Sequence, residues 1–136
     1  MQLEAVDIFE NMGEDELWLR VQGTSMRPFL HGGRDTVILK KFNTVPKAGD
    51  IVVYQKNGFY IMHRVVSTDG NTFAAIGDNQ VTSDSMIPIS SIKAKAIGAV
   101  RDGKRIYPSS FVWNFYSKIY IKPGARKALT TIISWR

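Results

Sequence analysis

The first residue of this chain with an obvious chemical use is a serine in a short turn. Residues 23–28 read Gly-Thr-Ser-Met-Arg-Pro and follow an alternating apolar run. A serine hydroxyl attacks a carbonyl group only when a base takes its proton and donors hold the oxyanion that forms. The glycine permits a sharp turn and close approach of a substrate, and the proline fixes the direction in which the chain leaves. On local grounds alone, a serine beside a glycine is more often an ordinary turn residue.

His63 is the candidate for the base that Ser25 needs, because it falls on a predicted strand with a patterned face. In that role an aspartate would hold the orientation of the imidazole ring. Asp78 and Asp84 are both candidates, since both fall in a loop predicted over residues 77–88. The structural alternatives are a histidine bonded locally and turn aspartates that bond their own backbone.

The elements that must position these residues are predicted to be short strands. Apolar residues at helical spacing predict a helix over residues 3–12. The body, residues 16–107, contains six to eight predicted strands joined by tight turns, and Asn57-Gly58 between two of them is a strong hairpin signal. This pattern predicts a mainly β fold, a small barrel or sandwich with a short N-terminal helix and a C-terminal helical tail. The predicted strands cover residues 17–22, 36–42, 51–54, 59–67, 72–76 and 92–100.

The last quarter of the chain differs from the rest in charge. Residues 101–136 contain 8 Lys or Arg and a single acidic residue, whereas residues 1–100 have a net charge of −1. Aromatic residues accompany the basic ones, and a helix is predicted over residues 124–135. We therefore divide the chain into a β-rich core with its N-terminal helix, residues 1–110, and a basic aromatic helical tail, residues 111–136. The tail is interpreted either as packed on the core or as contacting an anionic membrane surface.

Composition excludes several classes of function. The chain has no cysteine and 2 histidines, so no disulfide, metal or other cofactor is expected. No apolar run approaches the roughly 18 residues that span a bilayer. The acidic N-terminus lacks the pattern of a secretory signal. These features predict a cytoplasmic protein, with peripheral contact at the inner face of the membrane as an extension of that prediction.

Four short blocks resemble the signal peptidase I superfamily of S24/S26-like serine peptidases. They occur in the family's order over roughly residues 20–100, as Gly23–Leu30, Gly49–Val52, His63–Val66 and Gly77–Asn79. The chain resembles the histidine type, because His63 stands where other members have a lysine. It would be a compact form without a transmembrane anchor. The resemblance implies a serine endopeptidase with the small β-rich fold of signal peptidases and repressors.

The resemblance also implies a role for each residue of the site. Ser25 is the nucleophile, His63 is the base, and Asp84 is the carboxylate that orients the imidazole ring. Asp78 is a supporting residue. Gly23 stands where many members have a serine hydroxyl, which leaves the second oxyanion donor open. The expected oxyanion and substrate-binding residues are Gly23, Thr24, Met26 and Pro28.

The function implied is cleavage of a leader or signal-like peptide through a Ser/His/Asp site. The alternative is a non-catalytic module of the same fold that holds an extended peptide by strand addition. A nucleic-acid-binding barrel is disfavoured, because the excess of basic residues lies in the last quarter of the chain and the β-rich body is near neutral. A self-cleaving repressor is disfavoured as well, because little chain precedes the strand that leads to Ser25.

Overall fold

The computed structural model describes residues 2–3, 6–80 and 82–121. Within these residues the chain forms nine strands and two α-helices, and a short 3-10 helix, Ile89–Ser91, joins the seventh and eighth strands. The elements in chain order are β1 (Gln2–Leu3), α1 (Val6–Glu10), β2 (Leu17–Arg20), β3 (Thr36–Lys41), β4 (Ile51–Lys56), β5 (Phe59–Thr68), β6 (Thr72–Ile76), β7 (Asp84–Pro88), β8 (Ile92–Arg101), β9 (Lys104–Ile106) and α2 (Phe111–Tyr120).

The described strands form one antiparallel sheet in the order β2-β3-β8-β4-β5-β6-β7, with β1 added to β5 and β9 added to β8. The Asn57-Gly58 turn fixes the register of the central hairpin, which places Val52 opposite His63 and Tyr54 opposite Ile61. The predicted mainly β class, with a short N-terminal helix and a C-terminal helix, is confirmed. Within the described part of the chain the sheet stays open, since β2 and β7 lie at opposite ends of the strand order.

Two sequence predictions were wrong in their detail. The N-terminal helix is only five residues long, and residues 2–3 pair with β5 instead of belonging to it. The predicted loop over 77–88 ends early, because Asp84–Pro88 forms β7 along the edge of β6, with Asp84 opposite Ala75. Pairing with an available strand edge overrides the weak local preference of this polar segment. The helix predicted over 124–135 lies outside the described residues.

Strand β4 is buried on both of its faces, which places it at the centre of the molecule. Ile51 and Val53 point into the larger of two hydrophobic cores, where Phe9 of α1 and Trp113 of α2 cover the sheet. Tyr54 points into a smaller core on the opposite face, to which β6 and the edge strand β7 contribute side chains. The Tyr54 side chain is therefore fully buried on this face of the central hairpin.

Helix α2 packs against the turn that follows the candidate nucleophile. Its N-terminus is capped by the Ser110 side chain, which accepts a hydrogen bond from the Trp113 N–H. Trp113 meets Phe29 edge-on, with ring centroids 5.0 Å apart. Among the described residues, no helix combines the length and the apolar character that crossing a bilayer requires.

Candidate active site

A cavity of about 610 Å³ opens beside the turn that begins at Gly23. Ser25, His63 and Asp84 all line it, together with Gly23 and Thr24. The structure therefore brings together three residues that are far apart in the sequence and that we predicted to act together. The remaining lining residues are Gln22, Ile61, Gln80 and Thr82.

The turn that carries Ser25 is anchored by the residue that follows it. Met26 is buried in the larger core, and its carbonyl accepts a hydrogen bond from the Leu30 N–H at 2.9 Å. Gly23 has a φ of 76°, a backbone conformation that residues with a Cβ rarely adopt. Ser25 thus sits half-buried at the cavity wall, on a turn that the buried Met26 anchors. Met26 and Pro28, predicted for substrate binding, are not among the described lining residues, and the peptide bond before Pro28 is cis.

The Gly77-Asp78-Asn79 segment holds the nucleophile turn from the other side. The Asn79 N–H donates a hydrogen bond to the carbonyl oxygen of Ser25 at 2.8 Å. A Cβ atom on Gly77 would lie 2.5 Å from that same oxygen. The two backbone segments therefore approach so closely that position 77 has room only for glycine.

Asp78 is turned away from the cavity and into the protein interior. Its two carboxylate oxygens accept hydrogen bonds from Nε and Nη2 of Arg64, each at 2.8 Å, and both side chains have no solvent exposure. Arg64 also donates to the Gly49 carbonyl at 3.0 Å and to the Ser117 hydroxyl of α2 at 2.9 Å. Asp78 is thus part of a buried ion pair that connects the Gly77-Asp78-Asn79 segment, the loop next to Ser25, to β5 and α2.

The candidate base and carboxylate are connected by a tyrosine. Nδ1 of His63 lies 3.3 Å from the hydroxyl oxygen of Tyr54, and that hydroxyl donates to Oδ2 of Asp84 at 2.7 Å. Lys56 donates to the other oxygen of Asp84 at 2.6 Å. Because Tyr54 and Lys56 lie two residues apart on β4, one strand holds the carboxylate at both of its oxygens.

Sequence reasoning missed Tyr54, because it ends an apolar run that is typical of a core strand. A signal was nevertheless present. A two-residue turn at Asn57-Gly58 pairs β4 with β5 so that Val52 lies opposite His63. Tyr54, two residues from Val52, must then lie on the same face of the sheet as His63.

The ionisation states at this site follow from burial and hydrogen bonding. Burial tends to raise the pKa of the Asp84 carboxyl, but hydrogen bonds from Lys56 and Tyr54 outweigh it and hold that pKa below its usual range. Burial, and then the bond to Asp84, raise the pKa of the Tyr54 hydroxyl well above its usual range. At neutral pH, Asp84 is therefore a carboxylate and Tyr54 keeps its proton.

An open β-sheet that gathers a serine, a histidine and a carboxylate in one cavity defines a candidate hydrolase. The family model described as Peptidase S24-like matches residues 2–101, which include all three of these residues and end before α2. The chain belongs to the Peptidase S24-like family. This confirms, at the level of the superfamily, the resemblance carried by the four sequence blocks. No curated protein matches the chain.

Proposed function

We propose that this protein is a serine endopeptidase of the signal-peptidase type, which cleaves a leader or signal-like peptide through Ser25, His63 and Asp84. One observation carries the proposal: these three residues line a single cavity in a chain of a peptidase family. We propose the histidine type of this superfamily, because His63 lines the same cavity as Ser25 and can act as its base.

In the proposed reaction, the Ser25 hydroxyl attacks the scissile carbonyl carbon while His63 takes the hydroxyl proton. The tetrahedral intermediate collapses, the amide bond breaks, and His63 returns the proton to the leaving amine. Water then attacks the acyl-enzyme carbonyl carbon while His63 takes its proton. The ester bond breaks as His63 returns that proton to the Ser25 oxygen, which releases the product acid. A carboxylate near His63 stabilises the imidazolium that forms in both halves of the reaction.

The oxyanion requires a donor besides the Ser25 backbone N–H, and Gly23 has no hydroxyl to supply one. Thr24 and Gln80 both line the cavity and are the side chains proposed for this role. The Gln80 side-chain oxygen accepts the Gly77 N–H at 3.1 Å. The amide group of Gln80 therefore has a fixed orientation, with its NH₂ end on the side away from Gly77.

A fluorophosphonate probe tests this proposal without knowledge of the substrate. We expect covalent labelling of the wild-type protein at Ser25 and its loss in Ser25→Ala and in His63→Ala, because the hydroxyl is unreactive without its base. Ser83→Ala is the matched control, since Ser83 is an exposed serine next to Asp84 that does not line the cavity. This control should be labelled as strongly as the wild type.

Labelling that persists in Ser25→Ala would contradict the assignment of the nucleophile. An unlabelled wild-type protein that still binds an extended peptide in the cavity would favour the non-catalytic module. Both measurements use the full chain, and intact-protein mass spectrometry locates the adduct.

We propose in addition that α2 and the basic segment after it contact an anionic membrane surface. Phe111 is 82% exposed on α2, and its ring stacks on the exposed Phe115 with centroids 6.1 Å apart. Residues 122–136 follow directly and contain four basic residues and no acidic one. Exposed aromatic rings beside basic residues suit the headgroup region of an anionic leaflet.

Co-sedimentation with phosphatidylglycerol-containing vesicles at low salt tests the membrane contact. We expect binding that is absent with neutral vesicles and that falls about tenfold in Phe111→Ser, because burial of a phenylalanine ring is lost. Trp18→Ser is the control, since Trp18 is an exposed aromatic residue on β2. Equal sedimentation with neutral and anionic vesicles, or none with either, would remove the membrane from the proposal.

A further inference from the structure

Tyr54 is the buried side chain that separates the candidate base from the candidate carboxylate. Its ring is fully buried and packs edge-on against Phe73, with centroids 5.4 Å apart. Its hydroxyl oxygen lies 2.7 Å from Oδ2 of Asp84 and 3.3 Å from Nδ1 of His63. A single oxygen atom, held by a rigid ring, thus contacts both groups.

The number of protons at this oxygen fixes the direction of both hydrogen bonds. A tyrosine hydroxyl has one proton, and an ionised carboxylate only accepts. Since Asp84 is ionised and Tyr54 is not, the Tyr54 proton points to Asp84. The bond to His63 must then be donated by Nδ1–H. A neutral imidazole with its proton on Nδ1 has its basic lone pair on Nε2.

We infer that Tyr54 is a positioning residue for His63, and that Asp84 acts on the imidazole through the Tyr54 hydroxyl. The inference rests on the proposed function and refines its mechanism. The hydroxyl selects the tautomer in which Nε2 is free of a proton and can take that of Ser25. When the imidazolium forms, its Nδ1–H remains bonded to an oxygen that Asp84 polarises, and Tyr54 itself transfers no proton.

Lys56 completes this arrangement by fixing the carboxylate. Its ammonium group lies 2.6 Å from Oδ1 of Asp84, so Oδ2 is left to face Tyr54. The side chains of Lys56 and Asp84 are 43% and 27% exposed, so the pair contributes little to stability. Its effect is to hold the second acceptor oxygen at the tyrosine.

Tyr54→Phe tests the inference through the second-order rate of fluorophosphonate labelling. The substitution keeps the ring and deletes both hydrogen bonds, one of them to a charged group, so the rate is expected to fall about ten- to hundredfold. Tyr60→Phe is the matched control, because Tyr60 is a fully buried tyrosine on β5 whose hydroxyl donates to Glu10. Its rate should equal that of the wild type. A Tyr54→Phe rate equal to that of the wild type would overturn the inference.

The double variant Tyr54→Phe/Asp84→Asn shows whether the two residues act as a unit. If Asp84 acts through Tyr54, the double variant should be no slower than the slower single variant. Independent, additive losses would mean that Asp84 acts without Tyr54 and would overturn the inference.

The tautomer of His63 gives a readout that does not depend on activity. The chain has only 2 histidines, so long-range ¹H–¹⁵N spectra of the histidine-labelled protein are simple, and His63→Ala assigns the signals. In neutral wild-type protein we expect a protonated Nδ1 and an unprotonated Nε2, and in Tyr54→Phe a shift toward the other tautomer. A protonated Nε2 in the neutral wild type would overturn the inference even if the protein proves to be a peptidase. A protonated Nδ1 in a protein that no probe labels would remove the proposed function and leave only the hydrogen bond from His63 to Tyr54.

Discussion

Asp78→Asn is expected to lower the free energy of unfolding by about 3–5 kcal/mol, because it leaves a buried arginine without its counter-charge. Both Asp78 and Arg64 are fully buried, and two hydrogen bonds of 2.8 Å join them. The asparagine has nearly the same shape as the aspartate, so the packing is kept while the charge and one of the two acceptors for Arg64 are lost. Arg64→Met should cost a similar amount, since it leaves the Asp78 carboxylate buried and unpaired.

Denaturant unfolding of the full chain measures this loss as a shift of the midpoint at constant slope. Glu16→Gln is the control, because Glu16 accepts two hydrogen bonds from Arg105 in an ion pair of the same kind at the surface. The control should change stability by less than about 1 kcal/mol. If Asp78→Asn changed the free energy of unfolding as little as Glu16→Gln, the ion pair would not be what holds the Gly77-Asp78-Asn79 segment in place.

The double variant Arg64→Met/Asp78→Leu separates the contribution of this ion pair to stability from its effect on the position of Ser25. Removing both charges together is expected to recover most of the stability, as apolar replacements of buried ion pairs often do. It cannot restore the bonds from Arg64 to Gly49 and to Ser117. We therefore expect a folded protein whose labelling at Ser25 stays below that of the wild type.

Gly77→Ala is expected to slow labelling of Ser25 by about a hundredfold, the cost of displacing reacting groups by about 1 Å. Its methyl group would lie 2.5 Å from the Ser25 carbonyl and 2.8 Å from the Gln80 side-chain oxygen. Backbone atoms cannot rotate away as the end of a side chain can, so the nucleophile turn must move. The protein should remain folded, since the displaced segments border an open cavity.

Gly13→Ala is the matched control for this substitution. Nothing lies within 4 Å of a Cβ at Gly13, so labelling should proceed at the wild-type rate. A Gly77→Ala protein that is labelled as fast as Gly13→Ala would show that the contact with Ser25 is not critical. Circular dichroism on both variants separates a local displacement from loss of the fold.

The sequence predicted those parts of the fold that have a strong local signal. The Asn57-Gly58 turn and the alternating runs around it predicted β4 and β5, and residues 72–76 form β6 as predicted. β7 was not predicted, because it forms by pairing with β6. That contact is not visible in the local sequence of residues 84–88. The short α1 is explained in part in the same way, since β1 takes up Leu3, the first residue of the predicted helix.

The resemblance of the four sequence blocks predicted several of the residues that line the candidate site, but not how those residues contact one another. Ser25, His63 and Asp84 were named from four blocks, and all three line the cavity. The blocks do not reveal that Tyr54 stands between the histidine and the aspartate, because that depends on the diagonal neighbours of a strand pair. Nor do they reveal that Asp78 faces inward to Arg64, since the two aspartates of one polar segment look alike in sequence.

His63 and Arg64 are consecutive residues of β5, and their side chains leave the strand on opposite faces. One lines the cavity, and the other is buried in the interior with Asp78. A slip of one residue in the pairing of β5 would turn each side chain to the other face of the sheet, so that the arginine would point to the cavity face and the histidine to the interior. Such a molecule would lose its candidate base and its buried counter-charge in one step. The pairing of this one strand therefore places both the candidate base and the buried counter-charge of Asp78.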